Sequence, residues 1–187
     1  IKISAHIDLT KKLYPALDKL IYEIQTKAKS LKGVTKTGRT HLMDAMPIDF
    51  SDELLAWSSQ LSACRNMLGV IEERFLELPQ GGTAVGSGIN AHKQFAKFFA
   101  QEMSKILETK RKYIPSNNFF HELSAQDCSV QLSGELKNLA VILMKISNDL
   151  RWMNSGPLAG LSEIELQALQ PGSSIMPVSY THLRAHE

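Results

Sequence analysis

The sequence predicts an all-α protein, a bundle of long helices, and three observations carry this prediction. Apolar residues recur at spacings of three and four over long stretches, which is the period of one helix face. No segment alternates convincingly between polar and apolar residues over the length of a strand. Glycine and proline collect in three polar connections that separate the helical stretches or follow the last of them.

The first two predicted helices differ in regularity. The first runs from about Ile3 to Leu31 and contains Pro15, which should kink it or split off its first turns. The second is the clearest, because its apolar residues form an unbroken heptad stripe over roughly seven turns. Asp49 or Ser51 is placed to cap its start. The stripe consists of Leu54, Trp57, Leu61, Cys64, Leu68, Ile71, Phe75 and Leu78.

The third and fourth predicted helices complete the pattern. The third covers about Ala91 to Arg111 with Asn90 as its N-cap, and the fourth covers about Phe119 to Met153 with a second heptad stripe. Helices of this length exceed the usual mean of about 11–12 residues by a factor of about two. Because heptad stripes need partners along their whole length, we expect a bundle that assembles with other copies.

Composition excludes several classes of protein. The net charge of +2 over 187 residues is too small to argue for nucleic acid or an acidic membrane surface. No apolar run approaches the ~20 residues of a membrane span, and the N-terminal residues lack the pattern of a signal peptide. Cys64 and Cys128 have no metal-binding spacing and lie in helical patterns, so we expect reduced core thiols in a reducing compartment.

The glycine-rich connection "GGTAVGSGIN" matches neither of the two common phosphate-binding patterns. No Gly-Lys-Ser or Gly-Lys-Thr follows it, and the third glycine of a dinucleotide-binding motif is absent. Close backbone packing between helices is therefore favoured over direct ligand contact, although Thr83, Ser87 and Asn90 could still offer donors to an anion.

The connection "KTGRTHLMDAMP" brings several polar side chains together after a glycine. Arg39 can hold a carboxylate with two hydrogen bonds, and a structural ion pair is equally plausible for it. Thr40 adds a hydroxyl donor. His41 can transfer a proton near neutral pH. Arg39, Thr40 and His41 are therefore candidate site residues.

The connection "PGSSIMP" places Ser173 and Ser174 after a glycine. A serine acts as a base or nucleophile only when its anion is stabilised, which successive backbone N–H groups of a glycine loop can do. An ordinary turn explains the same residues. No Asp-His-Ser relay can be assigned from the spacing, and the pattern Gly-x-Ser-x-Gly is absent.

Together, "KTGRTHLMDAMPI", "GGTAVGSGIN", "LMKISNDLRWMNSGPLAGLSEIEL" and "PGSSIMP" resemble the class II fumarase/aspartase superfamily, in its order and spacing, over about residues 1–177. Within that superfamily, the Thr-His pair of "GRTHL" and the segment "GGTAVG" resemble fumarate hydratase, since aspartases usually have Thr-Gln at the first position. The resemblance implies reversible hydration of fumarate to L-malate, a step of the tricarboxylic acid cycle, without metal or organic cofactor.

The resemblance also implies roles for individual residues. Ser173 matches the base that takes a proton from the carbon next to a carboxylate, and His41 matches the acid that positions the water. Thr40 and Ser174 match contacts to the substrate carboxylates. The family forms a homotetramer whose active sites gather loops from three subunits, and it resides in the cytoplasm or, in eukaryotes, the mitochondrial matrix.

The sequence departs from the family after Pro177, where the expected substrate-binding lysine and asparagine are absent. We therefore expect residues 1–177 to be a fragment of the central helical domain, inactive by itself, and residues 178–187 to be a foreign tail. Two alternatives stay open. The parent protein could be aspartate ammonia-lyase or another lyase that releases fumarate, or the chain could be a non-catalytic helical scaffold.

Overall fold

The N-terminal helical stretch is interrupted by a wider turn beside its proline. In a computed structural model, which describes residues 1–167, α1 (Lys2–Asp8) continues through a π-helical segment (Leu9–Leu13) into α2 (Tyr14–Ser30). Pro15 lies in the first turn of α2. Because proline lacks an N–H and its ring crowds the carbonyl four residues earlier, the regular hydrogen-bond pattern cannot pass through it. The predicted effect of Pro15 is confirmed.

A β-hairpin follows, which the sequence pattern did not predict. Strands β1 (Thr35–Thr40) and β2 (Met43–Asp49) pair antiparallel. Within these two strands Gly38 is the only buried residue, so neither strand has the alternation of buried apolar and exposed polar residues that marks a strand in a sequence. The expectation of a purely helical chain is wrong here, while the helical fold class is confirmed by the rest of the chain.

Helix α3 (Phe50–Phe75) is the centre of the described chain, and it follows the prediction closely. The Asp49 side chain accepts a hydrogen bond from the Ser51 backbone N–H at 2.8 Å, so Asp49 is the N-cap. Every residue of the predicted heptad stripe is buried, and Leu61 and Leu68 are 0% exposed. The last of them, Leu78, lies in the short strand β3 (Glu77–Leu78), which follows the helix. Helix α2 packs along α3.

The two later helices begin or break elsewhere than predicted. Helix α4 (Phe95–Ile106) has Gln94 as its N-cap, whereas Asn90 lies in a turn with a φ of 63°, so the predicted cap is wrong. The predicted fourth helix is two helices, α5 (Phe119–Ser124) and α6 (Asp127–Met153). Ala125 is extended and ends α5, and Asp127 starts α6 with an acidic residue in its first turn.

Residues 1–145 form one compact unit with two apolar clusters that join its elements. In the first cluster, Ile71 and Phe75 of α3 pack against Cys128 of α6. In the second, Leu78 packs with Ala100 of α4 and with Tyr113, which precedes β4 (Ile114–Pro115). Strands β3 and β4 pair in parallel, which ties the end of α3 to the segment after α4.

A buried polar network lies beside these clusters. His6 is 2% exposed, and its Nδ1 lies 2.7 Å from the hydroxyl of Tyr113, which is also 2% exposed. The His6 Nε2 lies 3.3 Å from Glu72 Oε1 on α3. Burial raises the pKa of Tyr113, and the Glu72 charge adds to this shift, so the phenol stays neutral and can hydrogen-bond to His6. The network joins α1, α3 and the start of β4.

Both cysteines are free and buried, as predicted. Burial raises the pKa of the Cys64 thiol to about 12 and raises that of Cys128 as well. Because the thiolate is the reactive form, both cysteines behave as small apolar side chains in the core.

The second unit, residues 146–187, is described as far as residue 167. It contains the end of α6 and a folded-back segment. The Glu163 N–H donates to the Met153 carbonyl at 2.8 Å, and the Leu166 N–H donates to the Asn154 side chain at 2.7 Å.

Helix α6 leaves part of its apolar surface uncovered. On its predicted heptad stripe, Leu136 is 39% exposed and Leu143 is 38% exposed, whereas Leu139 between them is buried. A single copy of the chain therefore covers only part of this stripe. Among residues 1–167, none of the helices combines the length and apolar character needed to cross a bilayer.

The buried stripe of α3 gives a direct test of the fold. We expect Leu61→Ala to lower the free energy of unfolding by about 2–5 kcal/mol, because the side chain is fully buried and its removal leaves a cavity. Leu55→Ala, the same change at a residue that is 46% exposed on the same helix, should cost much less. Urea unfolding of both variants measures the difference, and equal losses would contradict this assignment of the core.

Candidate active site

The hairpin presents Thr40 and His41 at its turn. Thr40 pairs with Met43, and His41 and Leu42 form the two-residue connection with φ angles of 51° and 63°. Two residues with positive φ define the kind of turn that normally carries Asn and Gly. Placing other residues there costs roughly 1–2 kcal/mol each. Such strain at a polar, exposed turn is typical of a functional site.

Arg39 precedes these residues and is already engaged. Its Nε lies 3.8 Å from Asp44 Oδ1, across the hairpin, and the arginine side chain is 21% exposed. Asp44 is 84% exposed, so solvent screens this ion pair and the pair is weak. The structural ion pair that the sequence allowed is present, and the contact of Arg39 with a substrate stays a prediction.

Gly38 allows the hairpin to bend just before the site. The pairing register shifts between Thr37 and Arg39, so β2 contributes one extra residue opposite Gly38. A Cβ atom on Gly38 would lie 2.6 Å from the Met46 carbonyl oxygen, which is closer than atoms can pack. Glycine is therefore required here, and the bulge directs the turn residues away from a regular ladder.

Asp49 joins the base of the hairpin to α3. Its two carboxylate oxygens accept hydrogen bonds from the backbone N–H groups of Gly33, at 2.7 Å, and Ser51, at 2.8 Å. The Phe50 N–H donates to the Val34 carbonyl at 2.8 Å. The hydrogen bond from the Ser51 hydroxyl, followed by the backbone bond from Gly33, holds the pKa of Asp49 below its usual value. The charged form of Asp49 is thus the form that fixes this junction.

Lys36 and Glu53 form a second junction that sequence analysis missed. The Lys36 ammonium pairs with the Glu53 carboxylate in the first turn of α3, and the two side chains are 9% and 23% exposed. The same ammonium lies 5.2 Å from the centre of the Phe50 ring. Lysine and glutamate are common on exposed surfaces, so their spacing of 17 residues gave no signal until the hairpin was known.

The glycine-rich connection packs as predicted. A Cβ on Gly82 would meet Phe119 and Leu123 at 2.8 Å, and a Cβ on Gly86 would meet the Phe120 backbone at 2.6 Å. The backbone therefore approaches α5 more closely than any side chain allows. This contact confirms the packing interpretation of "GGTAVGSGIN".

The structure places Arg39, Thr40 and His41 at one end of the hairpin, whereas Ser173 and Ser174 lie outside the described residues. Within residues 1–167, no group of three His, Cys, Asp or Glu side chains is arranged to hold a metal ion. The described candidate residues therefore place an exposed imidazole, a hydroxyl and a guanidinium together at one end of the hairpin.

Comparison with known proteins assigns the class. A protein-family model described as a lyase matches residues 1–178, and the chain therefore belongs to this lyase family.

Relatives within the family are more specific. The chain is 52% identical over 177 residues to fumarate hydratase class II 2 of Pseudomonas aeruginosa, covering 95% of this chain and 38% of that protein. It is 45% identical to fumarate hydratase class II of Staphylococcus aureus, covering 94% of this chain and 38% of the relative. The resemblance to class II fumarase is confirmed by these matches, and the chain spans 38% of the length of both relatives.

Solved structures agree with this assignment. Recombinant class II fumarase from Schistosoma mansoni superimposes with a TM-score of 0.88 at 34% identity, covering 95% of this chain and 40% of that one. A fumarate lyase:delta crystallin from Brucella melitensis gives a TM-score of 0.81 at 37% identity, covering 94% and 37%. The long-helix architecture is thus the architecture of these lyases.

The Asp49 junction should depend on pH. Asp49→Ala removes the acceptor for two backbone N–H groups, so we expect a lower urea midpoint at pH 7. Because the pKa of Asp49 is lower in the folded state, its stabilisation is complete above the unfolded value near ~3.9 and is lost as pH falls through the folded value. The difference from wild type should therefore shrink on acidification. Asp52→Ala, at the exposed neighbouring carboxylate, is the control, and a loss of stability at pH 7 equal to that of Asp49→Ala would contradict this role.

The bulge gives a second test. Gly38→Ala should lower the free energy of unfolding by about 1–3 kcal/mol, because the new methyl group displaces β2. Gly134→Ala in α6 is the matched control, since nothing lies within 4 Å of its Cβ and alanine favours a helix by about 0.5–1 kcal/mol. Urea unfolding should show opposite signs, and destabilisation by both changes would argue against a specific requirement at Gly38.

Proposed function

We propose that the complete protein containing this chain hydrates fumarate reversibly to L-malate, as a carbon–oxygen lyase. The single observation that supports this most strongly is the strained hairpin turn, which carries the Thr-His pair of the fumarase motif. The names of the relatives support the same reaction. The substrate of the proposed reaction is a small dicarboxylate.

The residues have distinct roles in the proposed mechanism. Ser173 takes a proton from the carbon next to one carboxylate, and His41 gives a proton to the departing hydroxyl or orients the incoming water. Thr40, Ser174 and Arg39 bind the carboxylates. Negative charge grows on one carboxylate as the proton leaves, so fixed donors stabilise the transition state more than the substrate.

Self-assembly is part of the proposal. The exposed part of the α6 stripe, at Leu136 and Leu143, offers an apolar surface that other copies of the chain can cover. A homotetramer with active sites shared between subunits satisfies this requirement and brings loops distant in the sequence to one substrate. The buried free thiols of Cys64 and Cys128 fit a reducing compartment, the cytoplasm or the mitochondrial matrix.

We further propose that residues 1–177 are part of a central helical domain and that residues 178–187 are not native to it. The match to the lyase family, which covers residues 1–178, supports this division. Sequencing the gene across the codon for Pro177 tests it, because a native continuation of the family motif would supply lysine and asparagine there.

The activity is tested in the complete gene product. We expect the loss of fumarate ultraviolet absorbance on hydration to slow by about 10²–10⁴-fold in His41→Ala and in Ser173→Ala, the range for removal of a general acid or base. His121→Ala and Ser124→Ala change exposed residues of α5 and should leave the rate near wild type.

Three outcomes would overturn the proposed residue roles or the proposed reaction. Full turnover after replacement of both His41 and Ser173 would exclude them as the acid and base. Ammonia release from aspartate by a protein without hydratase activity would indicate an aspartase, and absence of all lyase activity would favour the helical scaffold.

A further inference from the structure

The orientation of the hairpin is not set by apolar packing. Within strands Thr35–Thr40 and Met43–Asp49, the only buried residue is a glycine, which has no side chain to pack. A two-stranded hairpin is at best marginally stable in water without such packing. Ile48 is half-buried, and the rest of the restraint on the angle to α3 comes from polar contacts at the base of the hairpin.

Two sets of contacts supply this restraint. At the junction of β2 with α3, Asp49 accepts a hydrogen bond from the Gly33 N–H and the Phe50 N–H donates to the Val34 carbonyl, so the start of β1 is held at this junction, which acts as a pivot. Lys36 lies on the other strand, and its ion pair with Glu53 reaches across to the first turn of α3. A pivot and a second contact on the opposite strand together define an angle.

We propose that Lys36 and Glu53 are positioning residues, whose ion pair sets the angle of the hairpin and so places Thr40 and His41 against the dicarboxylate. This inference rests on the proposed function.

The geometry makes the angle important. His41 follows Lys36 by five residues, which is about 17 Å along an extended strand at roughly 3.3 Å per residue. A rotation of about 4° at the base therefore moves the imidazole by about 1 Å. A misplacement of about 1 Å can cost about 10²-fold in rate. The pair thus acts on catalysis without contact with the substrate.

Burial distinguishes this pair from an ordinary surface ion pair. Lys36 is 9% exposed and its ammonium faces the Phe50 ring, so solvent screens the pair poorly. Removing one partner leaves a poorly hydrated charge, whereas replacing both by apolar residues can be neutral for stability. Replacing both Lys36 and Glu53 should therefore affect the free energy of unfolding and the rate of catalysis differently.

The test measures both properties in the complete gene product. We expect Lys36→Met and Glu53→Met each to lower the urea midpoint and to lower kcat for fumarate hydration by 10-fold to 100-fold, with a smaller change in KM. The Lys36→Met/Glu53→Met double variant should recover the midpoint but not kcat. Lys36→Arg keeps the charge and should recover much of kcat.

A matched control is available on α4. Lys105 and Glu102 form an exposed ion pair at 2.6 Å, with side chains 72% and 57% exposed, so replacing both by methionine should leave kcat unchanged. If a single variant does not fold, the double variant decides the question.

The outcomes separate this inference from the function on which it rests. A wild-type protein without hydratase activity would overturn both. An active wild type whose double variant keeps full kcat would overturn the positioning role alone and reduce the pair to a structural contact.

Discussion

The structure depends on the burial of one long apolar stripe along α3. Leu61 and Leu68 have no contact with solvent, and burying each such side chain contributes about 1.5–3 kcal/mol. Helix α2 packs along this helix, Cys128 of α6 packs against its last turns, and the Asp49 cap fixes its start at Phe50. Because β2 runs directly into that start, α3 anchors the base of the hairpin, and the polar contacts of Asp49 and Lys36 set the hairpin's angle. Helix α3 therefore connects the apolar core directly to the hairpin that carries the candidate site residues.

The hairpin shows how a stable core supports a locally unfavourable turn. His41 and Leu42 occupy backbone conformations that glycine or asparagine would adopt more easily. Asparagine or glycine at positions 41 and 42 would form the same turn with less backbone strain, but the tip of the hairpin would then carry no imidazole. The strain at these two residues costs little compared with the free energy gained by burying the apolar stripe of α3. A proposed acid must be presented at the tip, which explains why this strain persists.

The sequence predicted the helical core well, because the buried apolar residues recur with the period of a helix and this recurrence is visible in the sequence. The α3 stripe and its Asp49 cap are present as expected. The hairpin was missed because its strands bury only a glycine, so no alternation exists to detect. The Lys36 pair joins residues 17 apart and depends on that unpredicted hairpin. The motif indicated Thr40 and His41 as site residues, but their roles came from family resemblance, since spacing alone cannot assign an acid or a base.

Two parts of the chain, the hairpin turn and the apolar stripe of α6, are exposed to solvent. His41 and Thr40 are exposed in this chain, and in the proposed reaction water would weaken the hydrogen bonds that stabilise the charge growing on one carboxylate. Leu136 and Leu143 on α6 are likewise only partly covered. In the proposed tetramer, neighbouring copies cover the apolar stripe and enclose the turn, so both regions are removed from water. Assembly and activity would then be coupled, because the contacts that bury the helices also exclude water from the imidazole.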